Sequence, residues 1–350
     1  MVVNMDKKST KKNPYKKIIF AVPGSKVYIS SFYKNSPKSF INISLTGSAC
    51  SLMCSHCRAE LLKSMASAAA GNLYEIIAPE AGRGLKGVLI SGGFNASGVL
   101  ELDRYYRQIK DLKKSFKDIK ILIHAGFVDR EMAHKLGQTG CDGVLLNVIG
   151  SINAIENVYN LKGYKPRNYY DSLINLKEAG LKTAPHIVVG LDNRDKTNEF
   201  EALKNILEIG ADWLVLVSVK NLFAKSGYGN DRRSCERNEV KTNTGKTANR
   251  QDSSKTSTAV PSETVDELRR NEINAEKILS LAEYCKKTCP DLKISLGCAK
   301  PSGKTGQLLE SKLLETGIDI IAFPSEQTIN HAANNNYDFK FIESCCALSD

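Results

Sequence analysis

The chain has 350 residues, 42% of them hydrophobic, which suits one barrel-sized core or two ordinary domains. Its net charge of +11 is concentrated in two stretches poor in apolar residues, net +5 over residues 1–17 and net +5 over residues 220–258, so solvated segments account for it without a nucleic-acid-binding face. No run approaches the length of a membrane span, and the apolar run Ile18 to Val22 is too short for a signal-peptide core, so the ten cysteines are read as reduced thiols of a cytoplasmic protein that serve metal, with neither membrane nor nucleic acid as partner.

Residues 1–38 read as a basic tail and lead-in. Ile41 to Leu45 is the first strand, followed by the cysteine-bearing loop Thr46 to Cys57 and a helix over Arg58 to Ala70, where Ala, Leu and Lys dominate. Gly87 to Ser91 is the second strand, ending in Gly92-Gly93, and Leu100 to Phe116 an amphipathic helix. The alternation continues with a strand at Lys120 to His124, a helix at Asp129 to Gln138 and a fourth strand at Gly143 to Ile149. After a longer excursion come the helix Tyr169 to Ala179, the strand Thr183 to Leu191, the helix Asn198 to Ile209 and the sixth strand Trp213 to Val219.

Residues 224–262 break the rhythm with Gly, Asn, Ser, Thr and charge, and read as a disordered, low-complexity basic insertion. The pattern resumes with the helix Glu263 to Lys287, the strand Lys293 to Leu296, the helix Thr305 to Thr316, the strand Ile318 to Phe323 and the helix Glu326 to Asn335. Eight units of strand and helix predict an α/β fold, a parallel (β/α)8 TIM-type barrel over residues 39–348, interrupted by the insertion after strand six. A barrel's active site lies where its strands end, and the polar and glycine motifs fall there: Cys50 to Cys57, Gly92 and Gly93, His124, Asn147, Gly190, Lys220 and Asn221, Cys298, Pro324 and Ser325.

Cys50, Cys54 and Cys57 place three thiols within eight residues at spacings of four and three. Three thiolates can hold three irons of a cubane cluster and leave the fourth open, whereas a tetrahedral zinc site calls for another protein ligand nearby. Buried small hydrophobes or half of a zinc knuckle are the alternatives.

This spacing, with His56 before the last cysteine, resembles the signature of the radical S-adenosylmethionine (radical SAM) superfamily. The resemblance implies a [4Fe–4S] cluster on Cys50, Cys54 and Cys57 whose open iron chelates SAM, and one-electron cleavage of SAM to a 5′-deoxyadenosyl radical. It implies that the carbonyls of Gly92 and Gly93 meet the SAM amino group, that Asn147 meets the ribose, that Ile187 packs on adenine, that Gly190 lets the backbone approach, and that His56 lies near adenine. Asn147 reads equally well as a residue capping local backbone, and Gly92-Gly93 as a tight turn. Phe94 departs from the acidic residue many members carry at that place. His124 and His186 read as satisfied strand residues.

Cys141, Cys285 and Cys289 read as structural thiols and Cys235 as incidental. Cys298 ends a strand on the active-site face, and Cys345 and Cys346 reach the same mouth if the tail folds back. The three are candidates for a second iron–sulfur cluster; a buried Cys298 with an exposed tail pair is the other reading. The motifs Leu45-Thr-Gly-Ser-Ala-Cys50, Pro185-His-Ile-Val-Val-Gly190, Leu296-Gly-Cys-Ala-Lys-Pro301 and Glu343-Ser-Cys-Cys-Ala-Leu348 resemble the biotin-synthase-related radical SAM proteins, most of all a subunit of the archaeal-type two-component lipoyl synthases. That likeness implies a sulfurtransferase inserting sulfur at an unactivated carbon. It also implies an electron donor such as ferredoxin or flavodoxin, a second radical SAM subunit and a lipoyl carrier domain. Radical methyl transfer or rearrangement without an auxiliary cluster, and a non-catalytic iron–sulfur partner subunit, are the rival readings.

Overall fold

The computed structural model describes residues 16–192, 197–219 and 265–347. The sequence-predicted insertion at 224–262, with Lys220, Asn221 and Cys235, lies outside the described residues. All eight predicted strands are present: β2 (Phe40–Ser44), β4 (Gly87–Ser91), β5 (Lys120–Ala125), β6 (Gly143–Asn147), β7 (Thr183–Val189), β8 (Trp213–Ser218), β9 (Lys293–Leu296) and β10 (Ile320–Ala322). Three more were not anticipated, β1 (Lys17–Ala21), β3 (Ala66–Ser67) and β11 (Asp338–Ile342). Together they form one sheet in the order β11-β1-β10-β9-β8-β7-β6-β5-β4-β2-β3, with every pairing parallel.

The sheet curls but does not close by pairing β10 with β2, as a strict (β/α)8 barrel would. The cause is β1, which occupies the free edge of β10, Ile19 opposite Ile320, and carries β11 on its other side. Lys17–Ala21 thus belongs to the sheet; its run is too short for a signal core but of strand length, with Ile18 and Phe20 packed on the helical side. The gap is bridged by side chains. Glu343, just past β11, accepts from the backbone N–H of Ser36 at 2.9 Å, from Tyr33 Oη at 2.9 Å and from Lys86 Nζ at 3.1 Å. Tyr33 in turn stacks on Phe341, with centroids 4.6 Å apart.

The helix expected over Arg58 to Ala70 is absent. Arg58 and Ala59 have φ of 42° and 60°, left-handed values that stop an α-helix, and only a 3-10 turn, Glu60–Ser64, follows. The first helix is α1 (Leu73–Ala81), which Asn72 caps by accepting from Tyr74 N at 3.0 Å. The remaining helices are α2 (Tyr106–Ser115), α3 (Arg130–Gly137), α4 (Ile152–Asn157), α5 (Pro166–Glu178), α6 (Asn198–Ile209), α7 (Val265–Thr288), α8 (Gly303–Thr316) and α9 (Glu326–Asn334).

Strand alternation divides the apolar residues between two cores. The outer one, with Ile43, Val88, Ile123, Leu146, Ile187, Leu214 and Ile294, is covered by helices; the inner one, with Phe40, Leu122, Leu145, Ala184, Trp213, Val215 and Ile320, lies inside the curl. Strand register is fixed at the entry end by a repeated device. The segments Gly140-Cys-Asp142, Gly210-Ala-Asp212 and Gly317-Ile-Asp319 each place an aspartate before a strand, and its carboxylate accepts a backbone N–H from the first or second residue of the neighbouring strand: Ile121, Thr183 and Ile294, at 2.8, 2.8 and 2.9 Å. Lys113 and Lys286 complete two of these clamps, at 2.7 and 2.6 Å.

Candidate functional site

The cysteine loop leaves the C-terminal end of β2 and folds against the end of β4. Thr46 organises the junction, its Oγ1 accepting from Gly93 N at 2.7 Å and donating to Ala49 O at 2.8 Å. Ser51 N donates to Phe94 O at 2.9 Å. A Cβ on Gly93 would stand 1.9 Å from Ala49 O and 2.6 Å from Cys50 Cα, so the second glycine of the pair is required by contact with the loop. At Gly92 the nearest atoms would be side-chain atoms of Leu100 and Thr46, at 3.0 and 3.2 Å.

Cys54 is buried, and Cys50 and Cys57 are half-buried. Cys50 Sγ lies 3.9 Å from Phe94 O and Cys54 Sγ 4.0 Å from Tyr159 O. A hydrogen bond from Cys54, opposed by burial and helped by His56, draws the Cys57 thiol below the ordinary range; the same hydrogen bond, with burial, pushes Cys54 up. The ligand atoms of Cys54, His56 and Cys57 lie within 4.8 Å of one another. His56 Nδ1 is buried with no hydrogen-bond partner, an orphaned polar atom beside the thiols of Cys54 and Cys57. Soft sulfur donors on one short loop, with an unpartnered polar atom beside them, fit an iron–sulfur group.

Beneath the loop, Tyr159 ties the elements together. Its ring packs on His56 with centroids 5.1 Å apart, and its hydroxyl accepts from Asn147 Nδ2 at 3.2 Å. Asn160, with φ of 57°, donates to Leu52 O at 2.6 Å. Asn147 also neighbours His124, whose ring meets His186 edge-on at 5.5 Å. Burial, slightly offset by Asn147, lowers the pKa of His124; burial and the neighbouring His124 bring His186 down to about 3. A small hollow opens here, lined by Leu52, Phe94, His124, Asn147 and Tyr159 among others.

The structure therefore gathers Cys50, Cys54, His56, Cys57, Gly92, Gly93 and Asn147 at one end of β2, β4 and β6. It places two residues elsewhere. Ile187 points into the helix-covered core, 1% exposed, because inward and outward positions alternate along β7 and His186 and Val188 take the inner ones. Gly190, with φ of 90°, gives its N–H to Glu199 and lies so near the Asn274 carboxamide that a Cβ would come within 2.4 Å of it. Cys298 is exposed at the end of β9. Cys345 is half-buried, and Cys346 is buried in the inner core, its carbonyl accepting from Ser295 Oγ at 2.5 Å. Thr46, Tyr159 and Asn160 escaped sequence reading, since they sit in loops without periodicity; the signal was that Val158 to Leu161 is apolar and aromatic within an otherwise polar excursion.

Residues 44–203 match the family model of the Radical SAM superfamily. The matched stretch is thus similar to radical SAM superfamily domains. It runs from the end of β2 into α6 and contains the whole cysteine site. Among solved structures the fold is similar to methylornithine synthase (PylB), with 13% identity, 86% of this chain and 72% of that chain covered, and a TM-score of 0.50. It is also similar to HydG, a maturase of the [FeFe]-hydrogenase, with 13% identity, coverage of 89% and 58%, and a TM-score of 0.50. A structure of Streptococcus suis SuiB bound to S-adenosylmethionine follows at 12% identity, coverage of 79% and 53%, and a TM-score of 0.49. A search of curated proteins finds no match. No helix among the described residues is long and apolar enough to cross a membrane.

Proposed function

We propose that this chain is a radical SAM enzyme whose Cys50, Cys54 and Cys57 hold a [4Fe–4S] cluster with SAM as its further ligand. The observation that carries the reading is the seating of the three-thiol loop against Gly93 at the strand ends of a stretch similar to radical SAM superfamily domains. When bound, that group supplies reductive cleavage of SAM to a 5′-deoxyadenosyl radical, which takes hydrogen from an unactivated carbon. The protein's part is position and exclusion of water. Thr46 and Gly93 fix the loop, Tyr159 and Asn160 brace it from below, and Asn147, between Tyr159 and His124, presents a polar side chain at the end of β6 for a ribose hydroxyl. His56 Nδ1 needs a partner, and the adenine edge is the one proposed. A one-electron donor of the ferredoxin or flavodoxin kind completes the system.

Sulfur insertion is the outcome favoured within this reading. Its support is the folding back of the tail, which brings Cys345 and Cys346 against β9, the strand that Cys298 follows by two residues. A protein-bound acyl group carried by a lipoyl-type domain, with a second radical SAM subunit, is the corresponding substrate and partner. Iron and sulfide analysis of anaerobically reconstituted protein tests both levels. About four irons lost on replacing Cys50, Cys54 and Cys57 by alanine support the first cluster. A further loss on replacing Cys298, Cys345 and Cys346 supports the second, and unchanged iron in that variant leaves methyl transfer or rearrangement.

A further inference from the structure

The interior of the curled sheet is divided. On the β8–β10 side the returning tail fills it: Cys346 and Ala347 pack in the inner core, and Val215, Ser295, Ile320 and Ala322 are at most 1% exposed. On the β2–β7 side the lower layer is closed by Phe40, Leu122, Leu145, Ala184 and Trp213. Above it, the inward residues Asn42, Leu89, His124, Asn147, His186 and Val188 are only half-buried, though their outward neighbours Ile43, Ile90, Ile123, Leu146 and Ile187 are fully covered. Accessibility on this inner face marks a chamber, and it lies below the cysteine loop, since Asn147 and Tyr159 connect the two.

The wall of this chamber carries little charge. Among the described residues, the inward positions of β2 and of β4 to β7 carry one ionised side chain, Lys120 at the foot of β5, which is bridged to Asp142 at 3.6 Å. Burial disfavours the cation of both imidazoles. His186 Nδ1 lies 2.9 Å from Ala184 O, and a carbonyl only accepts, so Nδ1 carries the hydrogen and Nε2 is the acceptor. Above its foot, the wall thus has apolar surface for an aliphatic chain, an imidazole to accept a hydrogen bond and, among the described residues, no cation at the inward strand positions to hold an anion.

We propose that this chamber seats an uncharged, largely aliphatic substrate segment bearing an N–H or O–H donor, and that His186 is a specificity-determining residue that accepts that hydrogen bond and rejects carboxylates. The inference rests on the radical SAM reading for what happens to the substrate, but not for its binding, so the two are separable. Trp213, the single tryptophan, lies in the floor of the chamber and reports occupancy by its fluorescence. The full chain is titrated with N-methylhexanamide, with N,N-dimethylhexanamide, which lacks the donor, and with hexanoate. The secondary amide is expected to give a saturable change and to bind about tenfold more tightly than either of the others, the worth of one buried hydrogen bond. His186→Leu should abolish that tenfold preference, and His186→Gln, which retains an acceptor, should restore part of it. No saturable response to the secondary amide, equal or tighter binding of hexanoate or the tertiary amide, or a preference unchanged in His186→Leu would overturn the proposal. Absence of SAM cleavage alongside the expected binding pattern would count against the radical reading alone.

Discussion

Gly93 and Cys50 meet with no space between them: a Cβ on Gly93 would stand 2.6 Å from both Cα and Cβ of Cys50. The end of β4 is therefore a mould for the cysteine loop. Any side chain there has to push the first thiol outward, because the atoms it meets are backbone atoms of Ala49 and Cys50 and the Cβ that carries the thiol. Gly93→Ala is expected to destabilise the fold by about 1–3 kcal/mol and to strip most of the iron from reconstituted protein. Gly92→Ala meets flexible side-chain atoms and should cost about 1 kcal/mol with iron retained. Urea denaturation and iron analysis of the two variants separate a loop-specific effect from general loss of stability.

The Glu343 latch sets an acid limit on the fold. Burial alone would raise this carboxyl, but hydrogen bonds from Ser36, Tyr33 and Lys86 outweigh it and hold the group down to about 2. A depressed folded pKa means that stability is fully present above the unfolded value near 4.5 and is lost as pH falls toward 2. Wild-type protein should lose roughly 2 kcal/mol across that window through this group, and Glu343→Gln should lower stability at pH 7 by a similar amount while flattening the acid limb. Thermal melts from pH 7 to pH 3 on both proteins measure it; parallel curves would show that the latch contributes nothing.

The aspartate clamps at the entry end carry stability and not chemistry. Asp319→Ala leaves the Ile294 N–H without its acceptor and Lys286 without its partner, and should cost about 2–3 kcal/mol. Asp319→Asn keeps an acceptor and should cost about half as much. Denaturant midpoints test this, and iron content of the folded variants should match wild type.

Much of the fold was legible because its signal is periodic. Each of the eight strands lies where an apolar run and a glycine or helix boundary place it, and Cys50, Cys54 and Cys57 lie on the one loop that follows β2. What escaped depended on partners distant in sequence. Lys17–Ala21 is five residues long and becomes a strand only because the edge of β10 is free to receive it. Arg58 to Ala70 has helical composition, yet Arg58 and Ala59 are held in left-handed conformations next to the loop, which no propensity reveals. Ile187 faces the helix-covered core and His186 the inside of the curl because the parity of a strand depends on register, and Asn147 opposite His186 sets that register. Tyr159, which joins His56 to Asn147, carries no motif; only the folded chain shows its place.

The most direct test of the central claim is formation of 5′-deoxyadenosine by the anaerobically reconstituted full chain given SAM and a one-electron reductant. The account predicts its release from wild type and its loss, to the level of reductant alone, when Cys50, Cys54 or Cys57 is replaced by alanine. Iron-loaded wild type that releases no 5′-deoxyadenosine, or release that persists in those three variants, would contradict it.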